Sequence, residues 1–417
     1  MSSSKLAGSP ALKTDVMFEG IRYTEALGAA AEHSMPNYYP YRFKAGEHDP
    51  TGAGKAKIPY LINTNDETLI RVLGNADSPW SVTGDRDNGY HLVNDSDEGN
   101  PVAIDFEPMH GWMKAETSDG FPMAQAGVST HGDMMVINVA PGCEYFVGKV
   151  DGKAMRCTFC SYGAPDKRTA HLGQVIGQVS IPELTLRRMC DAIAAVTAET
   201  EIRHIYLVGG SLTDPREEGE RFLQLAQVVE DNNPNGIPVT LGSGALPDDI
   251  LQRFHDEDLA QAVCFNLEVW SENLFAQVCP GKNHYVGYED WIKSLETAVR
   301  LWGRGRVYSA MVAGIELEPE YEMEWQQAAD LVVEGVEDLC ARGIIPIYSL
   351  YYPVGGKDRS DYQSRLRNYF EHLALRYADI RQRHELEVWD GFMCHRCAYM
   401  QLECDLDRQQ EKQGTGG

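Results

Sequence analysis

The sequence predicts an α/β protein with a β-rich N-terminal module, a core of strands alternating with helices, and a cysteine-rich C-terminal extension. Two patterns carry that prediction. Up to about residue 130, short apolar stretches alternate with turn-forming clusters, whereas from Met134 strand-length apolar runs alternate with amphipathic helix-length segments. Size agrees with it. The 417 residues, 43% of them hydrophobic, exceed the roughly 200–250 residues a barrel needs and leave chain for flanking modules.

The N-terminal module (1–130) is rich in Tyr, Pro, Asn, Asp and Gly. Its candidate strands are Ile58–Ile62, Thr68–Val72, Tyr90–Val93 and Val102–Phe106, separated by the turn clusters Asp85–Gly89 and Asp95–Asn100. The aromatic run at Tyr38, Tyr39 and Tyr41 reads as packing surface.

The core (131–358) offers candidate strands at Met134–Ala140, His204–Val208, Pro238–Leu241, Ala262–Val269, Val307–Val312 and Ile344–Leu350. Between the last two, Trp325, Ala328, Ala329, Val332, Val336 and Leu339 recur at helical spacing. Six βα units imply a parallel sheet with right-handed crossovers, either open or curled into a barrel. The C-terminal extension (359–407) holds a long helix from about Asp361 to His384, a strand-like Leu386–Trp389, and the cysteines. Residues 408–417 have nothing to bury and read as a disordered tail.

Charge narrows the function. Lysine and arginine total 37 against 62 aspartates and glutamates, a formal net charge of −25. That field repels phosphate backbones, so a nucleic-acid partner is not expected. No apolar run approaches the ~20 residues of a membrane span, and the N-terminus lacks a secretion signal, so a cytoplasmic protein is expected. In that compartment the ten cysteines read as thiols or ligands, not disulfides.

Six of those cysteines fall into two tight groups. In the first, Cys143 follows the first core strand, thirteen residues intervene, and Cys157-Thr-Phe-Cys160 closes the set. This connection lies at the carboxyl end of the sheet, where α/β folds place active sites. Three thiolates around a [4Fe–4S] cubane leave one iron open to a further molecule. A zinc knuckle is the competing reading, although zinc normally takes four ligands at short paired spacings.

This arrangement resembles the radical S-adenosylmethionine (SAM) superfamily, whose signature ends in two cysteines separated by two residues, with an aromatic before the third. Phe159 stands at that aromatic position. The chain departs from the commonest form in its first spacer, thirteen residues where three are usual. The resemblance implies a partial (β/α)6 TIM-like barrel, with Cys143, Cys157 and Cys160 binding [4Fe–4S] and the open iron binding SAM. It also implies a flavodoxin or ferredoxin as reductant, and a carbon radical that abstracts hydrogen from substrate.

Later strands carry the resemblance further, nearest to the biotin-synthase-like and hydrogenase-maturation branches. The second strand ends in Gly209-Gly210-Ser211, where the family's backbone approaches the SAM amino group; an ordinary turn is the bland reading. On the fourth, Asn266 and Glu268 flank Leu267, so both point to one face, and the family uses such residues to hold SAM. A salt bridge to a lysine or arginine is the alternative for them. Ser309, in the fifth strand, falls where the family lines the adenine.

The second group, Cys394-His-Arg-Cys397 and Cys404, resembles an auxiliary iron–sulfur cluster of that family, with a zinc site including His395 as its rival. Cys190, Cys264 and Cys340 sit among apolar residues and read as core, while Cys279, beside Pro280, fits either role. The expected activity is radical chemistry on a small metabolite or natural-product precursor, with a ribosomal peptide second. A zinc-dependent barrel enzyme and a non-catalytic metal-binding protein are the rival classes. His131, His204 and His284 do not cluster in sequence, which speaks against zinc hydrolysis.

Overall fold

The computed structural model describes residues 6–43, 54–97, 99–139, 142–160, 177–351, 360–389, 402 and 405–409. Cys394, Cys397 and Cys404 lie outside the described residues. Those that are described form two compact units, one reaching to His110 and including 402 and 405–409, the other starting at Gly111.

The first unit opens with α1 (Gly8–Glu19) and α2 (Glu25–Ala30), helices that the alternating pattern did not announce. An antiparallel pair, β1 (Pro36–Pro40) and β2 (Lys55–Pro59), follows. Next come β3 (Leu61–Thr64), β4 (Leu69–Arg71), β5 (Trp80–Asp85), β6 (Gly89–Asn94) and β7 (Val102–Phe106), joined in an antiparallel sheet of order β4-β3-β7-β6-β5. The β5–β6 hairpin turns where the Asp85 carboxylate accepts the amides of Asp87 and Asn88, each at 2.9 Å. In this unit Lys13 on α1 is fully buried against Asp405 at 2.7 Å, and Arg408 reaches the same carboxylate at 2.6 Å. A buried carboxylate needs such partners. Arg408 and Gln409, expected to begin a disordered tail, therefore complete a helical turn over 405–409.

The second unit is built on one seven-stranded sheet of order β16-β15-β14-β13-β12-β9-β8. Its edge strand β8 (Val128–His131) pairs antiparallel with β9 (Met134–Asn138). The connection after β9 carries a helical turn, α3 (Glu144–Val147), and a small hairpin, β10 (Lys149–Val150) and β11 (Lys153–Ala154). Then α4 (Glu183–Glu199) leads to β12 (His204–Val208), and α5 (Pro215–Asp231) to β13 (Val239–Gly242). After these, α6 (Asp248–Asp256) leads to β14 (Ala262–Cys264). Three helices, α7 (Glu272–Val278), α8 (Pro280–Tyr285) and α9 (Tyr288–Trp302), precede β15 (Val307–Ala313). Finally α10 (Trp325–Arg342) leads to β16 (Ile344–Leu350), and α11 (Ser360–Arg383) follows. From β9 to β16 the strands run parallel in sequence order.

Local chemistry explains the segments. α5 starts at Asp214, whose carboxylate accepts the amides of Arg216 and Glu217, with Pro215 in the first turn. It buries Phe222, Leu225, Ala226 and Val229, one helical stripe. α10 begins with a capping box between Glu324 and Gln327 and ends at Gly343 in the left-handed region. Strands covered on both faces need no polar alternation, and β14 is buried at all three positions.

Two expected strands are corrected. The ladder of β14 stops at Cys264 instead of Val269, because Glu268 adopts φ 73° and bridges to Met311 alone. Leu386–Trp389 forms no strand; Trp389 is held by the Arg306 guanidinium 3.8 Å above its ring and by the Tyr308 hydroxyl. Cys264 and Cys340 are core as expected, whereas Cys190 is only half-buried. Among the described residues no helix is long and apolar enough to cross a membrane.

Gly335 on α10 supplies a test of this packing. A Cβ there would stand 2.5 Å from Cγ of Trp270. Helix propensity alone favours alanine by about 1 kcal/mol. The clash with the root of an indole outweighs it, so Gly335→Ala is expected to lower the denaturation midpoint; a raised midpoint would contradict the contact.

Candidate active site

β9 delivers the chain to the carboxyl edge of the parallel sheet. One residue past it, the Val139 amide still donates to the Val208 carbonyl at 2.9 Å. Cys143 then caps α3, and the Glu144 amide donates to the Ser211 carbonyl at 2.9 Å. The Glu144 carboxylate in turn accepts from the Thr213 amide at 2.6 Å and its hydroxyl at 3.0 Å. Gly210 makes this docking possible. A Cβ on it would lie 1.8 Å from the Gly142 carbonyl oxygen and 2.7 Å from the Cys143 Cα. On Gly209 a Cβ would meet Val139 Cγ1 at 2.6 Å. Both glycines thus permit a close approach, and what approaches is the segment that carries Cys143.

The long spacer folds back on itself. The β10–β11 hairpin turns through Asp151 (φ 49°) and Gly152 (φ 77°), the left-handed pair that matches strand twist. The Met155 amide donates to the Gly148 carbonyl at 3.1 Å and closes the lobe at its base. Tyr145, buried, stacks on Tyr285 of α8 with centroids 5.3 Å apart and planes at 7°. Thirteen residues therefore form a lobe that leaves the sheet edge and returns to it.

Beyond the lobe the Cys160 amide donates to the Cys157 carbonyl at 3.2 Å, making a tight turn with half-buried Phe159 inside it. Cys143, Cys157 and Cys160 are free of disulfides and half-buried. Burial pushes the Cys143 thiol up, and the charge of Cys157 adds to this, so those two sulfurs sense each other. Among the described residues no group of three His, Cys, Asp or Glu forms a ready-made site for a metal ion.

Under the Cys157 turn lies a polar group whose assembly no local motif announces. The Lys282 ammonium donates to the Asn266 carbonyl at 2.6 Å and to the Glu268 carboxylate at 2.7 Å, 4.5 Å from the Trp291 ring centre. Burial disfavours its charge, but its neighbours, the Glu268 carboxylate foremost, hold its pKa above the ordinary lysine value. Asn266 Oδ1 accepts the Ala310 amide and the Cys264 thiol, each at 3.3 Å. Ser309 is fully buried, and its hydroxyl accepts the Leu267 amide at 3.0 Å. Of the residues singled out on these strands, Glu268 forms the lysine pair weighed above as the alternative, while Asn266 and Ser309 brace the irregular chain after β14.

Two further buried acids sit near strand ends. Glu218 bridges the turns after β12 and β13 by accepting the Leu212 amide at 2.9 Å and the Gly244 amide at 2.6 Å. Burial pushes its carboxyl up against those two bonds. Glu316, after β15, accepts from the Gly314 amide at 3.0 Å and the Tyr369 hydroxyl at 3.3 Å, and burial raises it to about 7. An acid opening α5 and a Gly-Ile-Glu run after a strand were the only sequence hints of either.

A curated bacteriochlorophyllide c C-7(1)-hydroxylase from Chlorobaculum limnaeum is 24% identical to this chain over 260 residues, 59% of each protein. The chain spans 59% of that relative's length. A radical SAM methyltransferase from Sphaerobacter thermophilus superposes with a TM-score of 0.37 at 14% identity, over 72% of this chain and 76% of that one. No family model matches.

Resemblance to the radical SAM family implies a [4Fe–4S] cluster and SAM. The donor set fits such a cluster: three thiols without disulfides occupy two loops at one edge of the sheet, and Gly210 lets the first loop seat against β12. Gly210→Ala is expected to cut iron retention severalfold after anaerobic reconstitution, with the far-UV circular dichroism preserved; full iron retention would contradict the docking.

Glu316 predicts a pH dependence. Its pKa is about 7 when folded, above the usual 4.5, so the folded protein holds a proton that the unfolded chain releases. Stability is thus fully present below about 4.5 and falls as pH rises through about 7, by about 3 kcal/mol in total. Glu316→Gln is expected to remove this slope and to stabilise the protein at pH 8, as read by urea denaturation between pH 5 and 8.

Proposed function

We propose that this protein is an enzyme that cleaves SAM reductively at a [4Fe–4S] cluster held by Cys143, Cys157 and Cys160. The seating of Cys143 on the glycine turn after β12, at the same sheet edge as Cys157 and Cys160, carries this reading. When bound, the cluster and SAM supply one-electron cleavage of a carbon–sulfur bond and so start radical chemistry on a second molecule.

The chain's own residues orient and enclose. The parallel strands, in sequence order, make the wall of a partial (β/α)6 barrel whose mouth is their carboxyl edge. Gly209, Gly210 and Ser211 line that mouth beside Cys143, and Phe159 covers the turn between the other two ligands. Glu268, fixed by Lys282, presents an acceptor for a ribose hydroxyl, and Asn266 has its amide nitrogen to offer once Oδ1 is taken. Ser309 acts from behind by holding the Leu267 amide. Cys394, Cys397 and Cys404 hold a second iron–sulfur cluster in this reading, and a flavodoxin or ferredoxin delivers the electron.

The substrate is a small molecule. The net charge of −25 opposes polyanions, and the similarity to a protein named for a bacteriochlorophyllide supports a non-polymeric substrate with a C–H bond to activate.

Anaerobic reconstitution followed by SAM and dithionite tests the proposal. Iron and sulfide should bind at about four each per chain for one cluster or about eight for two. 5′-Deoxyadenosine should form, and Cys157→Ala should abolish it. Stoichiometric zinc without sulfide would reject the reading in favour of a zinc protein.

A further inference from the structure

Cys279 and Cys157 are far apart in sequence and face each other in the fold. Two backbone bonds clamp the chain on either side of them: the Thr158 amide donates to the Val278 carbonyl at 2.9 Å, and the Gly281 amide to the Met155 carbonyl at 2.9 Å. The clamp is close-fitting, since a Cβ on Gly281 would meet the Met155 carbonyl oxygen at 2.5 Å and Tyr145 Cβ at 2.8 Å. Cys279 is fully buried, and its thiol is hydrogen-bonded to that of Cys157. No established role in the reading above uses it. We propose that Cys279 is a positioning residue whose S–H donates a hydrogen bond to the Cys157 ligand sulfur and thereby raises the reduction potential of the cluster.

The direction of the bond follows from iron binding. A sulfur bound to iron has given up its proton, so of the two facing thiols only that of Cys279, fully buried, has an S–H to donate. One side is then the donor, and the other is an acceptor that carries the negative charge. Hydrogen bonds to ligand sulfurs and nearby cations are established levers on cluster potential, because reduction adds negative charge that they stabilise. Lys282 adds a buried cation on the same side, fixed by Glu268.

The inference rests on the iron–sulfur reading of Cys157, so its test separates the two. Wild-type, Cys279→Ala and Cys279→Ser proteins are reconstituted anaerobically, and each cluster is titrated against redox mediators with electron paramagnetic resonance readout. Iron and sulfide per chain are measured alongside. Cys279→Ala is expected to retain its iron and to show about a tenfold smaller equilibrium constant for one-electron reduction, a potential more negative by about 59 mV. Cys279→Ser keeps a donor and is expected to recover most of the shift. An unchanged potential in Cys279→Ala at full iron content would overturn the inference. Loss of iron from Cys279→Ala and Cys279→Ser alike would overturn it too, by making Cys279 a ligand. A wild-type chain without iron would instead defeat the iron–sulfur reading, and the inference with it.

Discussion

The van der Waals limit between Gly210 and Gly142 governs the carboxyl edge of the sheet. With 1.8 Å between a would-be Cβ and a carbonyl oxygen, no side chain is possible at Gly210, and its absence lets the Cys143 segment lie on the turn after β12. The Ser211 carbonyl and the two Thr213 donors then fix that segment. A loop held by its backbone at several points presents its thiol with little freedom, which is what a cluster ligand requires. The spacer can be long because only its first residue, Glu144, does this work. Closed at Gly148 and Met155, it is an excursion between two anchored ends.

Beneath the second anchor the structure solves a harder electrostatic problem. A lysine with 7% exposure would ordinarily lose its proton, yet Lys282 is surrounded by groups that favour its charge. The carboxylate of Glu268, the carbonyl of Asn266 and the face of Trp291 all point at one ammonium. The left-handed turn at Glu268 sets up this convergence. It breaks the β14 ladder, and the lost pairing is replaced by bonds from Glu268 to Ala310 and Val312. The irregularity lies beside the cysteines, where backbone strain is found when a site needs a particular side-chain direction.

Much of the second unit was legible in the sequence for a physical reason. Parallel strands buried on both faces must be written in Val, Ile, Leu and Met, and β9, β12, β15 and β16 read that way. The helical stripe of α10 was visible because one face of it is wholly apolar. Strand four was read too long because Leu267 and Val269 keep an apolar rhythm that says nothing about the sign of φ at Glu268. α1 was missed because its buried face includes two polar residues, Lys13, which pairs with Asp405, and Thr14, whose hydroxyl donates back to the Pro10 carbonyl. The cysteine triad was legible as local spacing. Cys279 and Lys282 were not, since only folding brings them under Cys157.

The central claim is that three sulfurs at this edge hold a cubane with one iron left open to SAM. Electron paramagnetic resonance of the reconstituted, dithionite-reduced protein, recorded without and then with SAM, addresses it most directly. The account predicts a reduced-cluster signal whose g values shift when SAM is added, because the open iron gains a ligand. A reduced-cluster signal that SAM leaves untouched, or no cluster signal at all, would contradict it.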